Sequence, residues 1–305
     1  MTIANFIPEI WSAALLQALN DRLVYGQPGV INRNYEGEIA QAGDTVHITA
    51  FGAPQTREYE RNGTIEWDLL ESTQQTMVID QSRYFAFKVD DIDRRQALAG
   101  FVEESAGGAS YNLASDADSH LAGKMSSAIT GANELSSGEL TTPRQAYSHL
   151  VSLRTRLNRT NTPSEGRFAV IPPEMYALLL EDDRFIRADA AGTTEGLRNG
   201  VVGRAAGFEV MEANRVPEVN GGYRVIAGHA IATTYAEQIL NTEAMRLQNT
   251  FGDGVRGLHV YGSRVIRPEQ LAGGTVSIEP GGDGGGSDEG ESESDGGNGG
   301  ESQGE

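Results

Sequence analysis

Residues Gly252-Asp253-Gly254-Val255-Arg256-Gly257 match the spacing G-x-G-x-x-G. In a dinucleotide site these glycines follow a strand and open a helix, so that the pyrophosphate sits on the helix N-terminus. Here the next residues are LHVYGSRVI, a strand-like run. The spacing therefore predicts a glycine turn leading into a strand and no cofactor. The histidines are His47, His120, His149, His229 and His259, and none of them makes H-E-x-x-H or H-x-x-x-H, so metal-ligand spacing is absent. Each reads as a surface or packed histidine. There is no G-x-S-x-G nucleophile elbow and no cysteine, which removes thiolate metal sites, disulfides and a Cys nucleophile. Asp90-Asp91, Glu103-Glu104 and Asp182-Asp183 are acidic pairs, but in so acidic a chain they carry little information about general acid–base work. GGDGGGSDEG in the tail lacks the nine-residue period and apolar position of calcium-binding repeats. Asn62-Gly63-Thr64 and Asn158-Arg159-Thr160 fit a glycosylation acceptor that occurs by chance. No catalytic, cofactor or metal constellation emerges.

The elements that would position any site begin with charge. The chain has 305 residues, 43 acidic and 24 basic, for a net charge of −19. Gly281 to Glu305 holds 11 Gly, 8 acids, no Lys or Arg and no apolar side chain, a composition expected to stay disordered. Without that tail the net charge is 24 − 35 = −11. The acidity argues against a protein whose main task is gripping phosphates. No run of 18 apolar residues occurs, so no spanning helix is expected. Met1 to Leu23 lacks a basic start and reads as no secretory signal. The basic residues are 22 Arg and only Lys88 and Lys124. That bias fits bidentate ion pairs, or simply nucleotide composition or life at high salt.

Ile7, Ile10, Trp11, Ala14, Leu15, Ala18 and Leu19 recur at helical steps, predicting a helix over 8–23, followed by an irregular arm to Asp44. Thr45–Ala50, Thr76–Ile79 and Tyr84–Val89 read as strands. Between the first two lies a polar excursion, 51–75, carrying Arg57, Glu58, Glu60 and Arg61. The residues alone leave it open between a projecting hairpin and an ordinary surface loop. An apolar stripe from about 92 to 128 predicts a long helix, with a kink or break at Gly107-Gly108. Thr142-Pro143 opens another helix, and Glu174–Leu180 a short one. Phe168–Ile171, Phe208–Met211, Tyr223–Ala227, Leu258–Ile266 and Thr275–Ile278 read as strands. The order is α+β rather than a βαβ alternation.

Three blocks are similar to tailed-virus major capsid proteins. They are FIPEIWSAALLQALNDRLVYGQPGVINRNYEGEIAQAGDTVHI, MVIDQSRYFAFKVDDIDRRQA and GVRGLHVYGSRVIRPEQL, in family order over roughly residues 5 to 280. The resemblance implies the HK-97-like fold. It divides the chain into an N-terminal arm (1–44), an extended-loop hairpin with flanking strands (45–90), a peripheral domain with a spine helix (91–165), an axial domain (166–239), a return to the peripheral domain (240–280) and the tail (281–305). The excursion then becomes a hairpin lying over a neighbouring subunit.

The implied function is assembly, without enzymatic activity or cofactors. Copies of the chain would form hexamers and pentamers of an icosahedral shell around double-stranded DNA, which they would touch only nonspecifically. Further partners would be a portal, a scaffold or maturation protease, and decoration proteins, with no membrane involved. The chain would be made in the host cytoplasm and end in the virion. Arg57 and Arg61 are the candidate intersubunit contacts, pairing with carboxylates; the alternative is that both are solvated charges of small effect. Lysine–asparagine crosslinking is not expected, because neither Lys88 nor Lys124 lies in the excursion. The family-like block begins almost at Met1, which implies a separate scaffold. Two further readings are a shell of an encapsulin-like nanocompartment and a secreted acidic binding module.

Overall fold

The computed structural model describes residues 23–35, 45–51, 57, 58, 61, 67, 72–90, 101–182, 201–247 and 252–278. The expected helix up to residue 22, most of the excursion, the helix start at 92–100 and the acidic tail lie outside the described residues. In chain order the elements are β1 (Thr45–Phe51), β2 (Ser72–Val78), β3 (Gln81–Asp90), α1 (Phe101–Ala128), β4 (Glu134–Leu140), α2 (Pro143–Arg159), β5 (Arg167–Ile171) and α3 (Pro173–Leu180). Then come β6 (Val201–Ala205), β7 (Phe208–Glu212), β8 (Glu218–Val219), β9 (Gly222–His229), β10 (Thr233–Arg246), β11 (Gly252–Val265) and β12 (Leu271–Ile278).

Alternation along short apolar runs builds a sheet with two covered faces. Phe168 and Val170 of β5 enter one core, Ala169 and Ile171 the other, and all are fully buried. The same split separates Val210 from Met211, Val225 from Ile226, and Ala272 from Leu271. The sheet has seven strands in the order β4-β12-β9-β5-β7-β6, with β8 paired to β9. The β4–β12 and β5–β7 pairs are parallel and the others antiparallel. The helix α2 covers one face with Ala146, Leu150, Leu153 and Leu157. Three leucines buried this way contribute roughly 5–8 kcal/mol, an upper estimate. As its start signal requires, Gln145 reaches back to accept the Thr142 N–H at 3.1 Å.

The other face is covered by α1, about 42 Å long at about 1.5 Å per residue for its 28 residues. Leu113, Ala114, Ala117, Leu121, Ala122 and Met125 form its buried stripe. The expected interruption at Gly107-Gly108 does not occur, and the helix runs through both. A glycine costs about 1 kcal/mol in a helix interior, too little to divide a cooperative helix anchored by so long a stripe.

Beyond α1 lies the ladder β10–β11–β3, all antiparallel. The G-x-G-x-x-G segment lies within β11 rather than in a turn before it. The reason is packing: a Cβ on Gly257 would stand 2.3 Å from Phe85, its direct partner on β3. β1 and β2 pair antiparallel as a hairpin, whose Val46, Ile48, Met77 and Ile79 pack on Ala236 and Val260 of the ladder. The boundary expected between 165 and 166 is crossed by the packing, since β4 and α2 share their core with β5, α3 and β9. The one expected between 239 and 240 falls inside β10.

Candidate functional site

Tyr235 and Glu237 of β10 alternate onto the same side of the ladder as His259 and Tyr261 of β11. That side faces α1 and the arm segment 23–35, while Ala236 and Val260 face the hairpin. The Glu237 carboxylate accepts from Arg33 of the arm, from the Tyr235 hydroxyl at 2.6 Å and from His259 Nε2 at 3.0 Å. Burial would raise the Glu237 pKa; the His259 hydrogen bond and the Arg33 charge outweigh it and hold the group below its ordinary value. The Tyr235 phenol is pushed up by burial and by the Glu237 charge, so it stays a donor. Arg33 also donates to the Gly26 carbonyl at 3.1 Å and stacks 5.5 Å from the Tyr235 ring centroid.

A second anchor lies on α1. Asp118 accepts the backbone N–H groups of Val24 at 2.7 Å, Tyr25 at 3.0 Å and Gly26 at 3.1 Å. Burial pushes its carboxyl up to about 7, although the N–H groups of Val24, Gly26 and Tyr25 pull it down; the Glu237 charge adds to the rise. Asn32 completes the fastening: its N–H donates to the Thr233 carbonyl at 2.9 Å and its carbonyl accepts from Tyr235 at 3.0 Å. Leu23, Tyr25, Val30 and Ile31 of the same segment are buried in the core beneath α1. Sequence reasoning singled out none of Arg33, Asp118 or Glu237. Asp118 carried a signal, a charge set into the apolar stripe of α1. Arg33 and Glu237 are 204 residues apart, and no local spacing links them.

This arrangement fixes backbone and has no reacting group aimed at a ligand space. Among the described residues no cluster of three or more His, Asp or Glu could hold a metal, and no helix is long and apolar enough to cross a membrane. A groove of about 560 Å³ lies between β3 and α1, with Arg83 and Asp116 as its charged groups, 3.7 Å apart. Tyr84 on its wall is 78% exposed, as is Trp67 of the excursion at 90%. Arg57 and Arg61 are exposed and stand apart from the buried cluster. The β1–β2 ladder ends at the Phe51–Ser72 pair, so the hairpin carries both arginines beyond its last rung.

Residues 71–273 match the family described as phage capsid protein. The chain is 30% identical to a solved structure from Mycobacterium phage Che8, with a TM-score of 0.64 over 83% of this chain and 90% of that one. The capsid structure of the cyanophage P-SCSP1u is 15% identical, with a TM-score of 0.62 over 84% of this chain and 89% of that one. The capsid of Ralstonia phage GP4 is 12% identical, with a TM-score of 0.63 over 85% and 90%. These last two share the fold. No curated protein matches. The viral family weakens the nanocompartment reading and the secreted-module reading. An α+β body and these relatives agree, and the chain belongs to the phage capsid protein family: it is a major capsid protein of the HK-97-like fold, a structural component of the virion rather than an enzyme.

Proposed function

We propose that copies of this chain close into hexamers and pentamers of an icosahedral shell around double-stranded DNA, with the hairpin excursion 51–75 lying over a neighbouring subunit. Ring-closing contacts between unlike patches of identical subunits give such capsomers. The observation that carries this reading is the hairpin itself, which is rooted in a core on the ladder and holds Arg57, Arg61 and Trp67 exposed. Arg57 and Arg61 pair there with carboxylates of the neighbour.

The seven-stranded sheet with α2 and α3 is the axial domain. It takes in residues from about 134 and so begins earlier than 166. The helix α1 is the spine of the peripheral domain, and the ladder with the hairpin completes that domain. Synthesis in the host cytoplasm and encounters with portal, scaffold or protease, and decoration proteins follow from the same reading.

The test is the double variant Arg57→Glu/Arg61→Glu in the full chain. Particle yield by electron microscopy falls, while circular dichroism and the melting temperature of the subunit stay unchanged. Normal particles from the double variant would overturn the role of these arginines.

A further inference from the structure

The helix α2 is basic in an acidic chain. Its 17 residues include Arg144, Arg154, Arg156 and Arg159 and no Asp or Glu. At about 100° per residue, Arg144, Ser148, Thr155 and Arg159 fall opposite the buried Ala146, Leu150, Leu153 and Leu157. All four of the former are exposed, as is Arg154 on the flank of the helix, where its guanidinium lies beside Gly207. Arg156 donates to the Ala132 carbonyl at 2.9 Å. Among the described residues no carboxylate forms an ion pair with Arg144, Arg154 or Arg159. Burial first, and then the nearby Arg154 charge, lower the pKa of Arg167.

The chain leaves the sheet beside this helix. β12 runs parallel to β4, and its last pair is Ile278 with Leu140, two residues before the N-cap Thr142. The residues after Ile278 carry Glu279 and the eight tail acids and no Lys or Arg. Their densest run is Asp288 to Asp295, with five carboxylates. A Gly-rich linker of ten residues, the count from Ile278 to Asp288, would reach about 17–19 Å. The helix is about 25 Å long, so the run reaches its arginines without strain.

We propose that the outer face of α2 is a docking surface for the chain's own acidic C-terminal segment, the carboxylates of 288–295 meeting Arg144, Arg154 and Arg159 of the same subunit. Tethering holds the segment at roughly millimolar effective concentration, so many weak exposed pairs add up. Docking covers a cationic face that would otherwise attract polyphosphate, and salt releases it.

The absence of cysteine makes the test clean. Ser148→Cys on α2 is combined with Ser292→Cys in the full chain, and the control combines Ser292→Cys with Ser119→Cys on α1. Under mild oxidant at low salt the 148–292 intrachain disulfide forms about 10-fold faster or more than the 119–292 one, reflecting the local concentration. That advantage collapses in about 1 M salt and in the Arg144→Gln/Arg154→Gln/Arg159→Gln background. Equal rates for the two pairs overturn the proposal, as does a product linked between two chains. Equal rates together with protection of the Ser148→Cys thiol by a short DNA duplex would make nucleic acid the occupant instead.

Discussion

Replacing Glu237 by alanine removes the acceptor on which three donors converge. Its side chain is 1% exposed and that of Arg33 12%, so Arg33, the Tyr235 hydroxyl and His259 all lose the Glu237 acceptor in a site largely out of water. Breaking a buried pair from one side costs about 3–5 kcal/mol. At about 1.4 kcal/mol per tenfold change, the opening of segment 23–35 becomes roughly 10²- to 10³-fold more frequent. Hydrogen exchange read by mass spectrometry measures this directly. Amides of 23–35 lose protection by that factor, while a peptide covering β5, walled off by both cores, keeps its own. Unchanged exchange in 23–35 would refute the anchoring argument. Acid adds a second arm. The Glu237 pKa is depressed on folding, so its stabilisation is complete above the unfolded value of about 4.3 and is lost as pH falls through the lower folded value. The native segment 23–35 therefore opens further as pH falls below about 4, whereas Glu237→Gln, having no proton to take up at that position, shows no further opening in that range.

Asp118 gives the opposite sign. Its folded pKa of about 7 lies above the unfolded one, so the stability it confers is full below about 3.9 and declines as pH rises to about 7. Asp118→Asn removes that decline, and urea midpoints measured from pH 4 to 8 at fixed protein concentration check it; parallel curves for the two proteins count against it. Gly257→Ala forces a Cβ to within 2.3 Å of Phe85, an overpacking that costs about 1–3 kcal/mol. The melting temperature then falls by roughly 2–10 °C, and Phe85→Leu in the same chain restores part of it; a double variant with an additive loss would show that the clash is not the cause.

What the sequence made legible was local. The start of α2 was readable because a capping threonine, a helix-starting proline and Gln145 act within four residues. The apolar strand β5 was readable because both of its faces are covered, which calls for a continuous apolar run. β10 was not readable. TTYAEQILNTEAMR lacks sustained alternation, and a register shift between Ile239 and Asn241 breaks the period midway. Its strand is imposed by pairing with β11, which local propensity does not report. Asn220-Gly221, with φ of 53° and 79°, is the kind of two-residue turn that marks a hairpin, and it joins β8 to β9. The arm anchor was the least legible part, because Arg33, Asp118, Glu237 and His259 meet only once the ladder, α1 and the arm are assembled. The capsid resemblance implied an arm over 1–44 but not what fastens segment 23–35.

The arginine bias can now be divided by position. Arg33 spreads its guanidinium over Glu237 and the Gly26 carbonyl. Arg167 donates to the Pro163 and Thr162 carbonyls and to the Asn158 side chain, closing the turn after α2. Arg224 donates to Glu134 at 2.6 Å and to the Ile129 carbonyl at 3.1 Å, tying the end of α1 to β4 and β9. A lysine ammonium keeps the charge at such sites but not the planar fork that meets several acceptors at once. These three positions require Arg whatever the genome composition, while exposed ones such as Arg144 and Arg159 do not. The same inventory locates the surplus charge. Among the described residues the largely buried cations Arg33, Arg167 and Arg224 are matched by the buried acids Asp118, Asp182 and Glu237. The described interior is thus close to neutral, so the other acids among the described residues lie outside it. Shell formation should therefore be favoured by salt up to the point where screening also weakens the Arg57 and Arg61 pairs.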